Sequence, residues 1–566
     1  MPRRHPPGPE TRQGRHPPAL QPLDAACPGA VRGLPRARPQ AAHAAPLGAS
    51  RQRPRAGAGI RRAQQHRPAW RRRRYRRRRL LGRTLSPNLP VSAPLQRPGP
   101  SQRAEGGPTK ALIGFIASLD LESIDAMTLE RARAHTLDTI GACLAGSRQP
   151  VTAIAERAVG ETGSSGGVPV PGLARRRDML SAAFLAGTAC HGLELDDGFR
   201  AGAVHPGAVV VPAALVSAYD SGASGGDFLR AVIAGYEVSA RIAAVIHPAA
   251  RRRGFHNTPL AGVFAAATAA GVLRGLDPGR LEHAFGLAAS SASGLHTYMH
   301  GGDVKRIHCG LAARDGVFAA LLAENGFTAA ENALEIDQGF FRAFAGDDDG
   351  GGDFAGVDIL GAGGGGGSGY AVAECYLKPH ACCRHLHPAI DGLLDIVGGE
   401  DLQPTEVAEV RVGTYRIAAR HADVGWQEMA GAQLSYPFAL AVALKHRAVR
   451  LEHFSPHHLA DPAMAAECAK VTVAVDADCE ADYPRLRPAT VTVLARDGRR
   501  FERRVDEPYG APANPMTDGD LRAKFRDLAT PVLGTEATAE VEEMVGRLDR
   551  LDSVAPLIEA LSPAGG

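Results

Sequence analysis

The stretch from Gly254 to Gly326 sets the strictest limit on what this chain can fold into. It is rich in Ala and Gly at helical spacing, opens on Gly254-Phe255-His256-Asn257-Thr258 and reaches Lys305-Arg306-Ile307-His308-Cys309-Gly310 before a small-residue helix over 311–325. Side chains this small cannot fill a core across ordinary helix separations, so the helices must approach backbone to backbone. The polar residues stand only at the margins of the apolar block. His256, Lys305 and His308 are therefore either hydrogen-bonded helix-end residues or the wall of a pocket for an anion, and only several such residues together can decide which.

Charge separates the chain into two regions. Residues 1–104 hold 24 Arg and no Lys, with Glu10 and Asp24 as the only acids, which leaves 41 basic against 58 acidic groups in the remainder. A segment so rich in Arg, Pro and Gly cannot bury a core and is expected to be disordered. It reads as a dispensable extension; a nucleic-acid or membrane-surface arm is the functional alternative. The rest is acidic, so basic residues that cluster within it carry information. No apolar run of about 18 residues occurs, so no transmembrane helix is expected. The nine Cys form no CxxC pair, and Cys382-Cys383 are adjacent, which suits neither an ordinary disulfide nor zinc ligation. A reducing, cytoplasmic setting without structural metal or iron–sulfur cluster is expected.

The apolar period predicts helices over 111–119, 128–145 (capped at Gly146), 179–193, 208–219 and 226–246, and from Asp277-Pro278 as cap and first residue through 287. Residues 108–344 read as all α. The Gly/Asp-rich stretch 347–369 reads as a flexible connection. The period then changes to two in the runs starting at Val407, Lys470 and Thr490, with Asp497-Gly498 as a hairpin turn. Helical spacing returns at 517–528 and 535–551. The fold expected is mainly α: a large all-α helical domain (108–377 and 506–562) and a smaller α+β lid domain (378–505) inserted before the C-terminal helices.

Five motifs carry the chemistry. They are His191-Gly-Leu-Glu-Leu-Asp-Asp197 with His205-Pro206; Gly254 to Thr258; Lys305 to Gly310; Lys378 to Asp391, which holds His380, His385 and His387; and Gln433 to Pro437, followed by Asn514-Pro515 and Lys524-Phe525. In this order and spacing the chain resembles the MmgE/PrpD family, which includes 2-methylcitrate dehydratases and cis-aconitate decarboxylases. The resemblance implies a homodimer and a cofactor-free lyase site between the two domains. It places His205, His256, Lys305 and His387 on positions the family uses around its substrate, and Asp197 in its acidic motif. That motif reads Glu194-Leu-Asp-Asp-Gly198 here, where Asp-Phe-Asp-Asp-Thr is usual.

The residues themselves support such a site. A citrate-like substrate carries two or three carboxylates and needs several cationic donors in one cleft. Dehydration needs a base for a carbon-bound proton and an acid for the leaving hydroxyl, and His suits both. Decarboxylation needs charge stabilisation and then a proton. We assign His205, Lys305 and Asp197 to catalysis, and His256, His387, Arg306 and Glu194 to substrate binding, with His205 as the proton-transfer group, its pKa held up by Asp197. The expected function is a cofactor-independent dehydratase of a 2-methylcitrate-like tricarboxylate, with cis-aconitate decarboxylation or epimerisation of a related polycarboxylate as alternatives. A metal-dependent hydrolase using His380 to Asp391 is the competing class. The partners expected are a polycarboxylate and a second copy of the chain, with neither membrane nor nucleic acid.

Overall fold

The computed structural model describes residues 106–346, 354–362 and 369–563. The expectations for the extension 1–104 and for most of the glycine stretch 347–369 lie outside these residues.

The fold is mainly α, as the periodicity predicts. The helix Asn257–Leu273 is almost wholly buried and packs against Gly207–Ser221, Gly225–Ile246 and Val304–Glu324. Such all-round burial is possible because most of its residues are Ala, Gly or Val. Close approach is clearest where Met179–Cys190 meets Val304–Glu324. A Cβ added to Gly187 would lie 2.8 Å from the Gly310 Cα, and one added to Gly310 would lie 2.3 Å from the Phe184 carbonyl oxygen. The two backbones touch, and only glycine permits it.

Short polar side chains start the helices. Asp125 accepts from the Thr128 amide at 2.9 Å, and Asp277 accepts from the Arg280 amide at 2.9 Å with Pro278 at the first helical position. One boundary differs from expectation. The helix Ala126–Ser147 runs through Gly146, which is not its cap. Gly146 is small because the Ala189 carbonyl of the neighbouring helix presses on it; an added Cβ would lie 1.9 Å from that oxygen. Residues 108–344 are also not purely helical. The two-residue strand Gly198–Phe199 pairs antiparallel with Cys375–Tyr376, a ladder too short to show a period.

The second core is built on a four-stranded sheet. Val407–Thr414 lies between Val471–Val475, to which it is parallel, and Ala489–Ala495, to which it is antiparallel; Arg500–Val505 completes the edge through the Asp497-Gly498 hairpin. The helices His387–Gly399 and Tyr436–His446 pack on this sheet. After it, Asp518–Leu533 returns to pack on Ala126–Ser147. The chain thus crosses between the two cores twice, and the crossings are joined: the Leu377 amide donates to the Gly510 carbonyl at 2.9 Å. Among the described residues no helix is long and apolar enough to cross a membrane.

Candidate active site

The loop after Met179–Cys190 and the first turn of Val304–Glu324 meet at Glu194. This residue has a φ of 54°, a left-handed conformation that non-glycine residues adopt at a cost. The turn aims its carboxylate at three cations. Oε1 meets Lys305 Nζ and lies 3.2 Å from Arg306 Nη1, and Oε2 is 3.7 Å from Lys378 Nζ. Burial alone would raise the Glu194 pKa, but Lys305, Lys378 and Arg306 together hold it well below the usual carboxylate range.

Asp196 forms the second junction. Its Oδ2 is 2.7 Å from His191 Nδ1 and 3.3 Å from His205 Nδ1, and its Oδ1 is 3.5 Å from Lys378 Nζ. Burial works against the charge, yet His205, Lys378 and His191 keep Asp196 ionised far below its ordinary pKa. Lys378 is 1% exposed. Burial disfavours its charge, and Asp196 and Glu194 more than restore it.

Imidazoles line the rest. His191 stacks on His256 with ring centroids 5.9 Å apart and stands 5.3 Å from His205. His256 pairs Nδ1 to Nδ1 with His308 at 3.0 Å and meets Tyr298 edge-on at 5.2 Å. Lys305 Nζ lies 5.8 Å from the centre of the Tyr298 ring. Burial drives His191 down to about 4 and His256 well below the usual imidazole value. His205 Nδ1 donates to the Asp197 backbone carbonyl at 2.6 Å, which fixes the tautomer and leaves Nε2 bare. The side chains of His205 and Lys305 keep 17% and 16% of their surface, against 1% or less for His191, Asp196 and Lys378. Those two are the groups a small molecule would reach first.

The predicted residues Glu194, His205, His256, Lys305 and Arg306 are therefore brought together. Asp197 is not beside His205 in the way expected. Its carboxylate turns the other way, accepting from Tyr236 Oη at 2.7 Å and the Gly207 amide at 3.0 Å and lying 2.8 Å from His135 Nδ1. Adjacent residues in an extended turn point to opposite sides, so Asp196 faces His205 while Asp197 anchors the next helix. His205 is also shifted opposite to expectation: burial lowers its pKa more than Asp196 raises it.

His387 is a second correction. It is fully buried, takes a hydrogen bond from Arg384 Nη1 at 3.0 Å and donates from Nε2 to the Cys382 carbonyl at 3.3 Å. Both ring nitrogens are used, so none is left for a substrate. Arg384 also reaches the Tyr509 and Pro508 carbonyls at 2.7 and 3.1 Å, which places His387 in the joint between the two crossings. The metal-cluster reading fails on geometry. His380 Nε2 pairs with Asp391 Oδ1 at 2.8 Å, Asp391 Oδ2 accepts from the Tyr509 amide at 2.7 Å, and His385 turns to Tyr415. Among the described residues no group of three His, Cys, Asp or Glu is placed to hold a metal ion.

His191, Asp196, Lys378 and Tyr298 were not singled out from sequence. The first three stand inside the motifs, and an acid–x–acid pair flanking a cation was the available signal. Tyr298 lies in a segment without period and carried none. Gly198 has a local cause: a Cβ there would lie 2.3 Å from the Tyr376 hydroxyl.

Residues 110–351 match the MmgE/PrpD N-terminal domain and residues 380–550 the MmgE/PrpD C-terminal domain. The chain is 30% identical over 477 residues to the "Cis-aconitate decarboxylase-like protein oryM" of Aspergillus oryzae, covering 81% of this chain and 98% of that one. It is 28% identical to the cis-aconitate decarboxylase of Aspergillus terreus (81% and 96% covered) and 24% identical to that of Homo sapiens (80% and 94%). The protein is an enzyme of the lyase class. It belongs to the MmgE/PrpD family.

Proposed function

We propose that this lyase is a cofactor-independent carboxy-lyase acting on an unsaturated polycarboxylate of the cis-aconitate kind. The observation that carries the reading is the pairing of a bare, reachable His205 Nε2 with Lys305 beside a nearly closed cationic junction. The names of the relatives support the carboxy-lyase assignment. In this reading Lys305 holds a substrate carboxylate. Loss of carbon dioxide from the carbon next to the alkene leaves an electron pair that shifts through the double bond to its far carbon, where the carboxylate there delocalises it. His205 is neutral in the free enzyme, because burial outweighs Asp196. An anionic substrate reverses that balance, since a nearby negative charge favours the imidazolium. The proton gained at Nε2 is then delivered to the carbanion. Tyr298 and His256 flank the junction, and the low exposure of its charged groups strengthens each charge interaction inside it.

A second reading, dehydration of a 2-methylcitrate-like substrate, draws on one feature: Asp196 joins two imidazoles, His191 and His205, so that one could serve as base and the other as acid. Incubation of the purified protein with cis-aconitate, 2-methylcitrate and citrate, followed by NMR, separates the two. Carbon dioxide loss from cis-aconitate, abolished in His205→Ala, is expected; turnover of none of the three would overturn both.

We also propose a homodimer through the helical portion. Leu295, Met299, Phe318 and Phe327 are half exposed there, and a monomer by light scattering would contradict it. We propose a reducing, cytoplasmic setting, on the spacing of the cysteines in the sequence.

A further inference from the structure

Seven of the eight described cysteines are buried, and Cys383 alone is partly exposed. Burial pushes the thiols of Cys190, Cys309, Cys375 and Cys382 far up, and those of Cys468 and Cys479 to about 12 and 11. Cys383 has a partner the others lack. Its Sγ lies 4.0 Å from His421 Nε2, and His421 Nδ1 donates to the Leu434 carbonyl at 2.8 Å. The carbonyl fixes the tautomer, so the bare Nε2 faces the thiol. A nucleophile, a base and a group that orients the base stand in sequence. Burial works against the thiolate here too, but the His421 charge and hydrogen bond outweigh it and hold Cys383 below its ordinary value.

Cys383 is tied to the cationic junction through Gln433. The Cys383 amide donates to the Gln433 carbonyl at 2.9 Å, and Gln433 Nε2 donates to the Leu193 carbonyl at 2.7 Å, which ties Cys383 to the residue preceding Glu194. Lys378 and Tyr298 feel its charge, while Glu194 works against the thiolate. Around Glu194 and Asp196 the three cations Lys305, Arg306 and Lys378 leave one positive charge in excess.

We propose that Cys383 is a covalent modification site for carboxylate-bearing electrophiles, which the cations beside Glu194 guide to the thiol while His421 holds its proton. With a halo-acid, Sγ attacks the carbon bearing the halogen, the carbon–sulfur bond forms as the carbon–halogen bond breaks, and halide leaves. With a conjugated unsaturated acid, sulfur bonds to the β-carbon, the alkene electron pair moves to the α-carbon, and the proton from His421 is delivered there. Carboxylate docking is all this requires, whichever reaction the lyase site performs.

The test alkylates the full chain with iodoacetate, an anion, and in parallel with iodoacetamide, its neutral counterpart, and maps the products by mass spectrometry. Ordinary thiolates react faster with iodoacetamide. Cys383 is expected to be modified at least about tenfold faster than any other described cysteine, to prefer iodoacetate, and to be shielded by cis-aconitate. Lys305→Gln is expected to remove the preference for iodoacetate while reaction with iodoacetamide persists, and His421→Gln to slow both reagents. Equal labelling of all cysteines would overturn the proposal, as would a wild-type Cys383 that prefers iodoacetamide; neither result depends on a variant folding.

Discussion

His205 Nδ1 lies 3.3 Å from Asp196 Oδ2, while Asp197, one residue on, offers His205 only its backbone carbonyl. The two acids are thereby given different work. Asp196→Asn removes the charge that opposes the burial of two imidazoles, and the expected loss in kcat toward cis-aconitate is about a hundredfold or more. Asp197→Asn disturbs the anchor to His135, Tyr236 and Gly207, and the expected cost is about 1–3 kcal/mol of stability. Kinetics and thermal melts of both variants decide this. An inactive Asp197→Asn with unchanged melting, beside an active Asp196→Asn, would reverse the assignment.

Lys305 carries the most exposed fixed charge of the junction. Lys305→Ala should raise KM and lower kcat together, because the charge acts in binding and on the developing carbanion alike. A change in KM alone, measured by steady-state kinetics, would confine Lys305 to docking.

Lys378 is buried between Glu194 and Asp196. Replacing it by Met strands two buried carboxylates, and breaking a buried ion pair from one side costs about 3–5 kcal/mol. Urea unfolding of Lys378→Met should show a midpoint lowered accordingly. An unchanged midpoint would mean that Lys305 and Arg306 suffice for Glu194, and His191 and His205 for Asp196.

Stability should fall on the acid side of neutrality. His191 moves from 6.5 to about 4 on folding, and His256 is also driven well down, in each case first by burial. The unfolded chain then binds more protons than the folded one between these values. Stability is fully present above about 6.5 and is lost as pH falls toward about 4, by up to ~1.4 kcal/mol per pH unit for each such histidine. Melting temperature measured across that range should drop. A flat profile would show that these imidazoles are already charged in the fold.

Gly310→Ala sets two effects against each other. Alanine is worth about 1 kcal/mol in a helix interior. Its Cβ would lie 2.3 Å from the Phe184 carbonyl oxygen, which no rotamer change relieves, so overpacking of about 1–3 kcal/mol should win. The same helix carries Lys305 and Arg306, and activity should fall with the melting temperature. A stabilised, fully active variant would show that the two helices can part at little cost.

The classes of element and the place of the chemistry are legible along the chain. Period 3.6 in the small-residue helices, period 2 in the three strand runs and the Asp497-Gly498 turn follow from local sterics, and local sterics are written residue by residue. The motifs told which short stretches hold polar groups at element ends, so Glu194, His205, His256, Lys305 and Arg306 were within reach of the sequence. Which neighbour does what depends on contacts between distant parts of the chain. Asp196 and Asp197 are the same side chain one peptide apart, and a turn sends one to His205 and the other to His135. His387 looked like a free imidazole until Arg384 and the Cys382 carbonyl claimed its two nitrogens. Gly146 looked like a helix end, yet the pressure on it comes from Ala189 on another helix. Each of these depends on the direction of a side chain or on a contact distant in sequence, and neither is encoded in spacing along the chain.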